Sequence, residues 1–169
     1  MLISEDGKLH LADFGLASEY AQVGIPLSPN VVTRWYKAPE LLFGSTHYTH
    51  AVDMWAVGCV FAELMLRRPY LPGDSDLDQL KKMCQALGTP SREIWPDISS
   101  LPDYLELPVY PSSPLHLQFG AASVEALDLL AKLLCYPPLQ RLTARQALEH
   151  PYFKVDPPAT RAESLPCPS

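Results

Sequence analysis

Asp13 sits in the triplet Asp13-Phe14-Gly15, directly after the short apolar run Leu9-His10-Leu11. On its own the triplet reads as an ordinary turn after a strand. Its companions give it more weight. Residues 17 to 37 show no hydrophobic period and carry Gly24, Pro26, Ser28 and Pro29. A structureless stretch of that length inside a compact domain is usually functional. The acid Glu40 follows in Ala38-Pro39-Glu40, Asp53 opens a long apolar segment, and Arg141 stands just before the last amphipathic segment. The residues that most often bind metals do not group. The five histidines show no ligand spacing, and Cys59, Cys84, Cys135 and Cys167 form neither a close pair nor a metal motif. Such cysteines suit free thiols in a reducing compartment.

The whole chain narrows the function classes. Its 169 residues are the length of one ordinary domain, and 47% hydrophobic content is enough for one core. Thirteen Lys and Arg against 19 Asp and Glu give a formal charge of -6, which argues against direct nucleic-acid binding, because phosphate neutralisation needs clustered cations. No apolar run approaches the roughly 20 residues that span a bilayer, and the start Met1-Leu2-Ile3-Ser4-Glu5-Asp6 lacks the basic and apolar regions of a secretory signal. Eighteen prolines disfavour long uninterrupted helical bundles.

These residues need elements to hold them. Leu2-Ile3 and Leu9-His10-Leu11 flank Glu5-Asp6-Gly7-Lys8 and predict a β-hairpin. Ala38 to Leu42 predicts a short helix with proline in its first turn. Residues 50 to 66 are apolar nearly all round, so they predict a helix buried in the middle of the domain, capped by Thr49 and ended by Arg67-Arg68-Pro69. Ser75 to Leu87 predicts a helix with Leu77, Leu80, Cys84 and Leu87 inward, ended by Gly88. A proline-rich irregular excursion covers residues 90 to 114. Ser123 to Leu134 predicts a helix with Leu127, Leu130, Ala131 and Leu134 inward. Thr143-Ala144-Arg145-Gln146 is a capping box opening a last short helix, which His150-Pro151 ends. After Phe153 the chain is polar, proline-rich and reads as a loose tail.

The order Asp13-Phe14-Gly15, then Ala38-Pro39-Glu40, then Asp53-x-Trp55-x-x-Gly58, then Arg141 resembles the signature set of the protein kinases. Val31 to Gly44, Leu87-Gly88-Thr89-Pro90 and the insert after it look like the cyclin-dependent kinases. Val52 to Cys59, Tyr70 to Leu80, Trp95-Pro96-Asp97 and Leu101 to Tyr104 are most similar to the branch of that family that activates other cyclin-dependent kinases. The resemblance implies a mainly α fold: the C-terminal, large lobe of the kinase fold with a short N-terminal β-hairpin and no small lobe. It spans residues 1–153, with 154–169 as a Pro-rich tail.

The resemblance also implies roles. Asp13 would hold Mg²⁺ against the phosphates of ATP, Phe14 would pack beneath it, and Gly15 would let the backbone switch. Thr33 would orient the substrate and the catalytic loop. Ser28 sits where the family carries its activating phosphate, more usually on Thr, although a plain loop serine remains the alternative. Val31 and Val32 resemble the wall that accepts the proline after a substrate Ser or Thr, through a strained backbone that leaves no acceptor unsatisfied. Lys37 departs from the usual Arg and offers a point charge instead of a planar fork, which weakens the case for proline direction. Glu40 and Arg141 would form a buried ion pair, and Asp53 would accept hydrogen bonds from the catalytic-loop backbone.

The implied activity is ATP-dependent phosphorylation of Ser or Thr in proteins. The implied substrates are activation loops of cyclin-dependent kinases and RNA polymerase II C-terminal repeats. A cyclin, an assembly factor and a nuclear location, with the cytoplasm as a second one, are implied as well, with no direct nucleic-acid or membrane partner. The family's Gly-rich loop, strand lysine and His-Arg-Asp catalytic loop do not occur in these residues, so the chain alone is expected to be inactive. Two rivals stand beside this reading: a non-catalytic lobe fragment acting through protein binding, and a different cyclin-dependent kinase.

Overall fold

The computed structural model describes residues 2–17, 26–28, 32–161 and 164–165. Strand β1 (Leu2–Ile3) pairs antiparallel with β2 (Leu9–His10), Leu2 opposite His10 and Ile3 opposite Leu9. The turn between them closes through Ser4 N–H to Lys8 O at 2.9 Å. Among the described residues, everything after it is helical or irregular: α1 (Pro39–Leu42), α2 (Ala51–Leu66), α3 (Asp76–Leu87), α4 (Leu115–Gln118), α5 (Val124–Leu133) and α6 (Ala144–Leu148). Short 3-10 turns lie at Arg34–Tyr36, Pro96–Ser100, Pro138–Gln140 and Pro151–Phe153. This is the mainly α architecture with a short N-terminal hairpin that the sequence implies.

Local chemistry sets the helix starts. Ser75 Oγ accepts from Asp78 N–H and Ser123 Oγ from Ala126 N–H, each satisfying a first-turn donor. At α6 the reciprocal box forms: Thr143 Oγ1 accepts from Gln146 N–H, and Gln146 Oε1 accepts from Thr143 N–H. Arg67, in the left-handed region at φ 56°, closes α2 with its N–H on Glu63 O.

The core gathers around α2. Trp55, Cys59 and Ala62 are buried against Leu80 and Met83 of α3 and against Leu130 and Leu134 at the C-terminal half of α5. A Cβ on Gly58 would lie 2.7 Å from Leu134 Cδ2, so only glycine lets α2 and α5 approach this closely. Rings pack the base: Phe43 lies 6.1 Å from Trp95 and 5.9 Å from Tyr104, and Trp55 lies 6.1 Å from Tyr136.

Four expectations need correction. The cap position of α2 is His50, one residue later than predicted, although the Thr49 hydroxyl still accepts from Ala51 N–H. Helix α2 is not buried all round, because Val57 and Leu64 are 49% and 72% exposed. Burying every face of a helix takes neighbours on every side, and the described residues cover one side. On α3, Leu77 is exposed and the inward face is Gln79, Leu80, Met83 and Cys84. Gln79 turns inward because its Oε1 accepts from Gly73 N–H at 2.9 Å, which a leucine could not do. On α5, Ala131 is exposed, and Leu129 and Leu133 are buried alongside Ala126 and Leu130. Residue type alone could not fix the rotation of either helix.

Candidate functional site

Arg141 anchors the segment from Val32 to Leu42. It follows the Pro138–Gln140 turn, so its side chain is aimed at α1. Nη1 donates to Glu40 Oε1 at 2.9 Å and to Ala51 O at 2.7 Å. Nη2 donates to Glu40 Oε2 at 3.0 Å and to Tyr136 O at 3.1 Å, and Nε donates to Cys135 O at 3.1 Å. All five guanidinium donors are used, and the group lies 5.2 Å from the Trp55 ring centroid. Glu40 and Arg141 are both buried. A bidentate, fully saturated pair of this kind fixes geometry that a lysine could not.

Upstream of that anchor, the Arg34–Tyr36 turn is fastened to the loop before α3. Arg34 Nε donates to Asp76 Oδ1 at 2.8 Å and Nη1 to Asp74 O at 3.2 Å, while Trp35 Nε1 donates to Gly73 O at 3.2 Å. Tyr36 donates its hydroxyl to Glu63 Oε2 at 2.8 Å, and that bond, with partial burial, pushes the phenol up to about 12. Lys37 is only 6% exposed, and its Nζ lies 3.9 Å from Asp76 Oδ2. Asp76 thus faces both cations.

Val32 carries φ 69°. A β-branched residue in the left-handed region is strained by about 1–3 kcal/mol, and such strain clusters at ligand clamps. Val32, Thr33, Arg34, Trp35, Lys37 and Asp76 line an open cavity of about 360 Å³. Thr33 is exposed there, and its carbonyl accepts from Tyr36 N–H at 2.9 Å. Val31 lies outside the described residues.

The other predicted site residues stay apart from this cluster. Asp13 is exposed, with φ 67°, so the unusual torsion falls on the aspartate and not on Gly15. Gly15 sits in the turn closed by Ala17 N–H to Phe14 O. The Phe14 ring is 67% exposed, so it is not packed beneath Asp13 as the resemblance implies. Ser28 is exposed, with its carbonyl accepting from the Tyr48 hydroxyl at 2.7 Å. Asp53 is exposed in the first turn of α2. Sequence reasoning missed Asp76 and Arg34. Both read as ordinary charged residues until the fold brings them together across 42 positions.

Asp13 offers one hard oxygen donor, and among the described residues no three His, Cys, Asp or Glu side chains group to hold a metal ion. These residues alone do not make a complete Mg²⁺ site. No helix among the described residues is long and apolar enough to cross a membrane. Cys59, Cys84 and Cys135 are free thiols, and burial pushes Cys59 up to about 12.

The comparisons with known proteins agree with one another. A model of the protein kinase domain matches residues 1–153. Over all of this chain, a Xenopus laevis protein named cyclin-dependent kinase 7 is 52% identical, with 48% of its own length covered. Serine/threonine-protein kinase KIN28 of Saccharomyces cerevisiae is 49% identical over 98% of this chain and 55% of its own length. Among solved structures, the CAK complex of Chaetomium thermophilum bound to ATP-gamma-S superposes with a TM-score of 0.94 at 45% identity, over 99% of this chain and 53% of that one. The chain spans about half the length of the curated relatives it matches.

Proposed function

Since this chain belongs to the protein kinase family, we propose that it is the large-lobe part of a cyclin-dependent serine/threonine kinase, with residues 1–153 as the kinase portion and 154–169 as a tail. Protein kinases generally transfer phosphate from ATP with Mg²⁺, and catalysis rests on positioning and charge stabilisation. The observation that carries the reading is the seat of Val32–Glu40. The strained Val32 backbone fronts an open cavity, and the segment is held at one end by Arg34, Trp35 and Tyr36 and at the other by the saturated Glu40–Arg141 pair.

In this proposal the cavity positions the residue after the phosphate acceptor, with Val32, Thr33 and Lys37 in its lining, and Val31 shares in accepting it. Asp13 contributes one carboxylate toward the metal, beside Phe14 and Gly15. Asp53 accepts from a catalytic-loop backbone. Ser28 carries the activating phosphate. The substrates are activation loops of cyclin-dependent kinases and RNA polymerase II repeats, the partners are a cyclin and an assembly factor, and the location is nuclear. The names of the relatives and of the complex above support the cyclin-dependent kinase part of this reading. A second reading, that this chain by itself acts through protein binding, is favoured by the exposure of Leu11, Phe14, Val57 and Leu64.

The test is phosphate transfer. A longer product of the same gene, containing a Gly-rich loop and a His-Arg-Asp loop and purified with its cyclin, should phosphorylate a Ser-Pro repeat peptide and an activation-loop peptide. The 169-residue chain alone should not exceed an Asp13→Ala control. In the active form Ser28 should be phosphorylated, and Ser28→Ala should lower turnover. A longer product that modifies neither peptide removes the reading, and active enzyme with unmodified Ser28 removes its regulatory part.

A further inference from the structure

Behind α3 lies a cavity of about 540 Å³ that takes no part in that reading. Three separate stretches form it: the loop leaving α2, the C-terminal half of α3, and α4. One side chain ties them together. Gln118 accepts from the Tyr70 hydroxyl at 2.9 Å and donates through Nε2 to Ala86 O at 2.8 Å and to Ser113 O at 3.1 Å. The Tyr70 ring is held in turn 5.2 Å from Phe119. The walls are therefore preformed, and the volume falls in the range of ordinary ligand pockets, about 300–1,000 Å³.

The lining is of two kinds. Leu66, Pro69, Tyr70, Pro72, Ala86 and Leu117 supply apolar surface, and Leu117 stands 71% exposed at the mouth. Arg68 and Lys82 supply two positive charges, and no carboxylate lines the cavity. Among the described residues Arg68 has no ion-pair partner. Lys82 faces only Asp78, one turn back on α3, at 3.8 Å. This cavity, cationic with an apolar wall, sits on a chain whose formal charge is -6.

We propose that the cavity docks a short acidic segment of a partner protein bearing an apolar anchor side chain. A simple anion would satisfy Arg68 and Lys82 and leave the apolar wall in water. A wholly apolar ligand would bury that wall and strand two cations. A segment with carboxylates flanking a leucine-sized side chain uses both, and complementary charge also steers its approach. The inference does not depend on phosphate transfer, since none of these residues belongs to the Val32–Glu40 site.

The probe is a fluorescein-labelled peptide, Glu-Glu-Leu-Asp-Leu-Glu, titrated with the 169-residue chain and followed by fluorescence anisotropy. Two controls accompany it: Gln-Gln-Leu-Asn-Leu-Gln without charge, and Glu-Glu-Ser-Asp-Ser-Glu without the anchor. The expected result is saturable binding of the first peptide, about tenfold weaker or more for either control, and weakened by added salt. Arg68→Glu and Lys82→Glu should each cost about tenfold, and Asp78→Asn should tighten binding a few-fold by freeing Lys82. Circular dichroism of each variant checks that the helices are intact, and a variant that loses them is replaced by the milder Arg68→Gln or Lys82→Gln. Equal binding by parent and charge variants overturns the proposal, as does the absence of saturable binding. Equal binding of the peptide without its anchor reduces the cavity to an anion site and overturns it too. A dimer seen by sedimentation and abolished by Arg68→Glu would make the occupant a second copy, which also overturns it.

Discussion

At Arg141 every guanidinium hydrogen has an acceptor and the side chain is sealed from water. At the hairpin, Leu2, Ile3, Leu9 and Leu11 are all more than half exposed, and Phe14 just beyond it is no better covered. Both regions carry apolar side chains of the kind that folding normally buries. They differ in how many separate pieces of chain meet there. Around Arg141, α1, the start of α2 and the 135–141 loop converge, so each residue's burial closes off another's. At the hairpin only two strands meet: they pair with each other and with no third strand among the described residues. A two-stranded ribbon of this length is marginal on its own. Burial in this chain thus follows convergence of elements more than residue type.

The contrast can be broken most directly at the anchor. Arg141→Met leaves the Glu40 carboxylate buried without a partner, and the expected loss is about 3–5 kcal/mol in urea unfolding followed by circular dichroism. A loss below about 1 kcal/mol would mean that Glu40 rehydrates freely and that the sealed region is no more closed than the hairpin.

Gly58→Ala probes the same body by crowding. Its added methyl would meet Leu134 Cδ2 at 2.7 Å and Leu133 Cβ at 3.0 Å, so either Leu134 turns aside or α2 and α5 separate. Overpacking of this kind typically costs about 1–3 kcal/mol, read as a lower thermal midpoint. An unchanged midpoint would show that Leu134 can turn aside without loss.

Tyr36 lies on the border between the two regimes. Its phenol is raised to about 12, so the folded state holds that proton more tightly than the unfolded state. The stabilisation is fully present below the unfolded pKa near 10 and is lost as pH rises from there to about 12. Discounted for solvent screening, it amounts to no more than about 1 kcal/mol. Parent and Tyr36→Phe should differ in stability at pH 8 and converge by pH 12. A pH-independent difference would assign the effect to packing.

The smallest effect on stability is expected at the hairpin. Leu9→Ser with Leu11→Ser should change unfolding free energy by about 0.5 kcal/mol or less, because little native burial is lost. The same pair should lower self-association in light scattering, since exposed apolar side chains on an unpaired ribbon invite edge contacts. Hydrogen exchange should find amides 2–11 poorly protected and those of α2 strongly protected. Strong protection at 2–11 in a monomeric sample would erase the comparison.

Local chemistry made much of the fold legible in advance. The Thr143–Gln146 box, the serines before α3 and α5, Pro39 at the start of α1 and Gly7 in the hairpin turn act within four residues of themselves. A sequence displays such interactions directly. The motif order from Asp13 to Arg141 likewise announced the kinase family without any coordinates. The tertiary structure alone decided which way the helices face and which charges meet. Gln79 rather than Leu77 points inward because a loop N–H six residues away needs an acceptor. Asp76 faces Arg34 and Lys37 because the fold folds the loop before α3 back onto the 34–36 turn. Val57 and Leu64 stay in water because a helix that is apolar all round cannot bury a face without a neighbour to cover it. Contacts across 40 or 100 residues are set by the packing of whole elements, and no window of sequence contains that information.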